Sequence, residues 1–219
     1  MTTTFSGFSP EAIDFYEQLS IHNTRAWWNE HKNIYARELR EPMLALLAGL
    51  EEEFGSARIF RPNRDVRFSK DKSPYKDHMG AIAQIEDAIG YYVQISARGL
   101  MVAGGWYAPL GPQVARFRAS VDSPAVAELD AGLAKLRRAR PPYSIDGAPL
   151  KTKPRGVSAD HPRLDLLRFT QLTMSREYGV PSWLDSKKTL DVVRKDWRAM
   201  APVVEWLADH VGPGTDPAE

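Results

Sequence analysis

Residues 58 to 78 read R-I-F-R-P-N-R-D-V-R-F-S-K-D-K-S-P-Y-K-D-H and hold seven Lys+Arg against three Asp. This window carries +4, while the other 198 residues, with 22 basic and 25 acidic side chains, carry −3. Arginine presents a planar fork that matches phosphate or carboxylate, and lysine adds a mobile point charge. Read as a strand, Asp65–Phe68 puts Asp65 and Arg67 on one face and Val66 and Phe68 on the other. Arg64, Arg67, Lys70 and Lys72 then gather around a turn at Ser69–Pro74. Ser69, Ser73 and Tyr75 supply hydroxyls there, and backbone N–H groups in a tight turn can form an anion-binding nest. The chemistry this suits is capture of a phosphate or carboxylate. The glycines of a P-loop are missing. The competing reading is structural: Asp65, Asp71 and Asp77 pair with the cations, as most charge runs are solvated faces. Both readings stay open at this level.

Outside the window, Arg118 lies in an expected helix. Arg155 follows Lys151 and Lys153 in a Pro- and Gly-rich stretch. His78 and His161 each follow an acid, Asp77 and Asp160, and an imidazole beside a carboxylate can act as a general base with its orienting group. There is no H-E-x-x-H and no EF-hand spacing, so no metal site is expected. No cofactor is implied. The chain contains no cysteine, which excludes a thiolate nucleophile, a disulfide framework and a zinc ribbon.

The elements that must position these groups fall into blocks. Ser9-Pro10-Glu11 starts a helix whose apolar face is Ala12, Phe15, Tyr16 and Leu19. Asn23 or Thr24 caps a second, with Trp27, His31, Ile34 and Tyr35 inward. Pro42 is expected to interrupt it. A third helix follows with Met43, Leu46, Leu47, Leu50 and Phe54, stopped by Gly55. The period then changes to two, and Ala81–Ile85, Tyr91–Ile95 and Leu100–Trp106 read as an antiparallel meander. Helical spacing returns at Val114, Phe117 and Val121, and again after Ser123-Pro124 to about Arg138. Residues 139–162 read as a long ordered loop with room for one short hairpin. Leu164–Thr173 fits helix or strand. Leu190, Val193, Trp197, Met200, Val204 and Leu207 mark a last helix, with a kink expected before Pro202. The fold class expected is α+β, an antiparallel sheet of three or more strands flanked by N-terminal and C-terminal helices.

Arg64–Lys76, R-D-V-R-F-S-K-D-K-S-P-Y-K, resembles the signature of the DUF2461 family, a bacterial and fungal domain of unknown function. F-S-G-F (Phe5–Phe8) is similar to that family's opening. Its next motif is matched by N-x-R-x-W-W from Asn23, followed by Tyr35 and Glu41-Pro42. G-G-W-Y-x-P (Gly104–Pro109), Arg118, P-R-G (Pro154–Gly156) and D-H-P (Asp160–Pro162) follow in the family's order. His22 stands where asparagine is commoner, and Ala103 where a third glycine is. The resemblance implies a single domain over residues 5–210 and no reaction, and the remaining residues 211–219 read as a disordered tail.

The 219 residues, with a net charge of +1, are enough for a sizeable core and argue against a polybasic nucleic-acid coat. Met1–Gly7 lacks the basic and apolar regions of a signal peptide. No apolar run approaches the roughly 20 residues that cross a bilayer. A soluble cytoplasmic protein with no membrane partner is expected. The leading functional expectation is a basic concave site for a phosphate- or carboxylate-bearing small molecule. Arg64, Asp65, Arg67, Ser69, Lys70, Lys72, Tyr75, Lys76, Arg118 and Arg155 would line it. Were it a hydrolase or transferase, His78 or His161 would move protons. A nucleic-acid-binding module and a non-catalytic protein-interaction domain are the alternatives, and the oligomeric state is left open.

Overall fold

Proline at the first turn and an acid beside it start the first helix, as their types dictate. A computed structural model of the chain describes residues 4–67, 70–108 and 111–214. Helix α1 (Pro10–Ile21) buries Ala12, Ile13, Phe15, Tyr16 and Leu19. The Ser9 hydroxyl makes no cap and instead donates to the Glu38 carboxylate at 2.6 Å. Thr24 caps α2 (Arg25–Ile34), its hydroxyl accepting from the Trp27 amide at 3.2 Å. The inward face of α2 is shallower than its spacing predicts. Trp27, His31 and Ile34 are only half-buried, and Tyr35, one residue beyond, is the buried member.

Pro42 does not end the helical run. Tyr35–Arg40 widen into a π-helical turn, in which the Glu41 amide reaches back to the Ala36 carbonyl, and α3 (Glu41–Ala48) continues directly. Proline has no N–H for the carbonyl four residues back, and a wider turn accommodates that loss. A short α4 (Glu51–Phe54) stops at Gly55, whose φ of +79° is left-handed backbone suited to glycine.

The meander is present as β2 (His78–Glu86), β3 (Ile89–Ser96) and β4 (Gly99–Trp106), preceded by β1 (Ala57–Ile59). The strand expected at Asp65–Phe68 is not there. Residues 64–66 are irregular, Phe68 lies outside the described residues, and the added strand is β1, which pairs with β2 through Ile59↔Ala81. Helices α5 (Gly111–Val121) and α6 (Val126–Arg138) follow. The stretch read as a loop contains a strand, β5 (Ser144–Asp146). Leu164–Thr173 is both helix and strand, dividing into α7 (Leu164–Leu167) and the start of β6 (Leu172–Gly179). The result is a six-stranded antiparallel sheet of order β1-β2-β3-β4-β6-β5 with helices at both ends, an α+β fold. The final helix, α8 (Lys188–His210), runs on through Pro202. Val193, Trp197, Met200, Val204 and Leu207 are fully buried along it, and that apolar stripe outweighs one missing bond. Residues 211–214, the start of the expected tail, are tied down. Arg116 donates to the Val211 carbonyl at 2.6 Å and the Gly214 amide to Asp87 at 3.1 Å, while 215–219 lie outside the described residues. Among the described residues no helix is long and apolar enough to cross a membrane.

The chain packs as two compact units. One comprises Met1–Ala83, Tyr92–Val102 and Glu177–Lys195, and the other Gln84–Tyr91, Ala103–Arg176 and Asp196–Glu219. The second unit contains a buried charge cluster that periodicity does not reveal. Arg176 pairs with Asp196 at 3.0 Å, the Tyr143 hydroxyl donates to the same carboxylate oxygen at 2.7 Å, and the Arg176 guanidinium lies 3.7 Å from the Tyr143 ring centroid. Arg176 also donates to the Pro141 carbonyl. Removing one member of such a pair strands the other charge in low dielectric. Asp196→Ala should therefore lower the unfolding free energy by about 3–5 kcal/mol, and Tyr143→Phe by about 1 kcal/mol, both read from urea denaturation. Equal small losses for the two variants would show that the pair is solvated.

Candidate anion site

The basic segment sits on an antiparallel stem in the first unit. Beyond β1 the pairing continues: the Phe60 amide donates to the Gly80 carbonyl at 2.9 Å, and Asn63 bridges to Tyr75. The Arg64 amide donates to the Pro74 carbonyl at 2.9 Å and the Lys76 amide to the Pro62 carbonyl at 2.8 Å. Arg64 and Pro74 are thus held together at the base of the basic segment. The stem is clamped by α2's entry. The Asn23 carboxamide donates to the Tyr75 carbonyl at 3.0 Å and accepts from the Tyr75 amide at 3.1 Å. Trp28 stacks on the Tyr75 ring with centroids 4.1 Å apart and planes 11° from parallel. Two motifs far apart in sequence, N-x-R-x-W-W and S-P-Y-K, meet here.

At the loop tip the charges are partly paired. Asp71 accepts from the Ser73 hydroxyl at 2.6 Å and the Ser73 amide at 2.9 Å, and pairs with Arg64. Asp65 holds Arg67 at 2.7 Å, and the Lys72 ammonium donates to the Val66 carbonyl at 2.9 Å. Lys70 is exposed, and Ser69 lies outside the described residues. The Ser73 hydroxyl, then its amide, then Arg64 hold the Asp71 carboxyl down at about 2.

Lys76 behaves differently. It is half-buried, its ammonium lies 5.3 Å from the Phe60 ring centroid, and it has no ion pair or hydrogen-bonding side-chain partner among the described residues. Burial lowers its pKa, and the positive charge of Arg61 lowers it further. Next along the chain, the Asp77 carboxylate and His78 Nδ1 are 2.7 Å apart. Neighbours in sequence seldom interact so directly, but here they do. The hydrogen bond from His78 holds the Asp77 carboxyl below its usual range, helped by the charges of His78 and Arg64. With Nδ1–H donated to Asp77, His78 keeps Nε2 for another partner, and none occupies it among the described residues. On the neighbouring strand the Tyr92 hydroxyl donates to Gln94 at 2.8 Å. A Cβ on Gly80 would lie 2.2 Å from that hydroxyl, so only glycine leaves room for the ring.

The remaining expected site residues belong to the second unit. Arg118 donates to the Leu167 carbonyl at 3.0 Å, and Arg155 is exposed. His161 does not pair with Asp160: its Nδ1 accepts from the Arg163 amide at 3.1 Å, which leaves Nε2 as the donor to Asp122 at 3.1 Å. Both its nitrogens are engaged, so of these two histidines His78 is the one with a free position among the described residues. Sequence reading missed Asn23, which looked like a helix cap, and Arg61, whose charge reaches both Asp65 and Lys76. Among the described residues no three His, Asp or Glu side chains come together to hold a metal ion.

The sign of the Asp71 shift gives a direct test. A carboxyl depressed by native contacts stabilises the fold above its unfolded pKa and loses that stabilisation as pH falls towards about 2. Carboxyl-carbon NMR titration should place Asp71 at about 2 in the native chain, and Ser73→Ala should raise it towards ordinary aspartate. An unchanged value in Ser73→Ala would assign the shift to Arg64 instead.

Comparison with known proteins supplies a family and no chemistry. No curated protein and no solved structure matches the chain. The sequence profile of one family, described as "Conserved hypothetical protein (DUF2461)", matches residues 11–206. That span runs from the first turn of α1 into the last turns of α8 and includes the stem and the sheet, and the chain belongs to the DUF2461 family.

Proposed function

We propose that the protein binds a phosphate- or carboxylate-bearing small molecule at the stem of the basic segment and acts on it as a hydrolase or transferase. The observation that carries the reading is Lys76, a partly desolvated cation beside a second cation, Arg61, with no carboxylate to compensate it among the described residues. Such an arrangement is unfavourable alone and becomes favourable when an anion docks. Arg64 adds a guanidinium whose pair with Asp71 is exposed, so that solvent screens it and it can open for a stronger partner. Beside them, Nε2 of His78 can take the proton of an attacking water or hydroxyl and return it to the leaving oxygen. Asp77 fixes the ring and stabilises the imidazolium formed between these two transfers. Lys76 and the arginines face the negative charge that develops on the substrate oxygens. A nucleic-acid coat is less favoured, because Arg64 and Arg67 each spend charge on an internal aspartate.

Calorimetric titration with inorganic phosphate and with acetate tests the site. Saturable binding is expected for at least one anion, weakened about tenfold or more by Lys76→Met. Affinity should fall as pH rises towards the depressed pKa of Lys76, earlier than for an ordinary lysine. His78→Gln should abolish turnover of a simple ester while sparing anion binding. The absence of binding by the native chain, or binding indifferent to Lys76→Met, would overturn the reading.

A further inference from the structure

Lys76 stands apart from the other lysines of the chain. It is half-buried, and every other lysine among the described residues is exposed. A lysine drawn out of water ordinarily takes a carboxylate as partner, and Lys76 has neither an ion pair nor a hydrogen bond among the described residues. Asp77, the next acid along the chain, is engaged by His78 at 2.7 Å.

What the amine meets instead is apolar or positive. Its Nζ lies 5.3 Å from the Phe60 ring centroid, and the guanidinium carbon of Arg58 lies 5.1 Å from the same centroid. A ring face attracts a cation, but here two cations share one ring. Arg61, exposed and with no ion pair among the described residues, brings a third positive charge within reach of Lys76. Burial and a like charge both favour the neutral amine over the ammonium, and on Lys76 burial acts first and Arg61 second, in that direction. The ammonium is no nucleophile, whereas the neutral amine is one. Desolvation beside another cation is one of the ways in which a protein obtains that amine near neutral pH.

We propose that Lys76 is a nucleophilic amine that forms a Schiff base with a carbonyl compound bearing a phosphate or carboxylate group. This rests on the anion site proposed above and names the reacting group of its ligand. The lone pair of the Lys76 nitrogen attacks the carbonyl carbon, and a C–N bond forms. The C–O bond then breaks, and the oxygen leaves as water with one proton from the nitrogen and one from solvent. The product is an iminium cation, which water reverses by the same route. Nitrogen keeps a positive charge throughout the bound state, so the anionic group that docks beside it stabilises the adduct. An uncharged aldehyde would place the iminium near Arg58 and Arg61 with nothing to offset their repulsion. The surroundings of Lys76 therefore select the anionic class.

The test incubates the full chain with glyoxylate, or with the uncharged propanal, in the presence of cyanoborohydride, which reduces an iminium to a stable secondary amine. Peptide mass mapping then reads the labelling rate of each lysine, with the exposed Lys32 and Lys70 as internal references. With glyoxylate, Lys76 should label about tenfold faster than either; inorganic phosphate should slow it, and propanal should show no such preference. Lys76→Arg keeps the charge and cannot form an imine, so it should lose the fast site while still binding inorganic phosphate in calorimetry. If both chains bind phosphate and Lys76 labels no faster than Lys70, the anion site stands and the Schiff-base proposal is wrong. The lysine then only lays its stem along the surface with its amine in water. If Lys76 labels equally fast with propanal and glyoxylate, the anionic class is wrong. If the native chain binds no phosphate and phosphate does not protect Lys76, the anion site fails and this proposal with it.

Discussion

Asn23 donates to the carbonyl of Tyr75 and accepts from its amide, so one side chain does for that residue what a neighbouring strand would otherwise do. Buried backbone groups need partners, and Tyr75 gets both of its own from a residue more than fifty positions earlier. The Trp28 stack holds the ring of the same residue. Everything else about the site follows from this clamp. Lys76, Asp77 and His78 are the next three residues, so fixing Tyr75 fixes the start of β2 and the direction in which these side chains leave it. The opposing side of the stem, Pro62 to Arg64, is registered through bonds to Pro74 and Lys76. A loop held only by its exposed ion pairs would have no such precision.

Magnitudes separate the cations that can serve a ligand from those that cannot. Arg176 is buried against Asp196, and opening that pair would cost several kcal/mol. Arg64 and Arg67 hold their aspartates at the surface, where solvent screens a pair and it contributes little. A dianion with bidentate geometry outcompetes a solvated aspartate for a guanidinium. Internal pairing in the basic segment is therefore compatible with ligand binding. It keeps the loop folded and limits self-repulsion until an anion arrives. Lys76 needs no such release.

Much of the architecture was legible because it depends on period. The α1 face, the β2–β4 meander and the α8 stripe each repeat often enough to exceed chance, and glycine at position 55 marks its helix end by the φ it permits. The elements that escaped are too short for a period. β1 and β5 have three residues each and exist because β2 and β6 offer them an edge. Pro42 misled for a different reason: the rule against proline assumes a bond four residues back, and the π turn changes that spacing. At the site, charge density exposed the basic segment, and adjacency exposed Asp77–His78. Asn23 resembled a cap, because the backbone it clamps lies more than fifty positions away.

The aromatic cluster acts on the basic segment through packing. Tyr16, Tyr35 and Tyr75 are 1%, 8% and 7% exposed, and Trp28 packs against both Tyr35 and Tyr75, with centroids 4.8 and 4.1 Å away. In a close-packed interior a shift of one ring displaces the next. Tyr75 directly precedes Lys76, so the partly desolvated ammonium is positioned by the same contacts that hold the core of this unit together. The stem therefore does not owe its geometry to the ion pairs at its surface, and those pairs can open for a ligand without the site losing its shape.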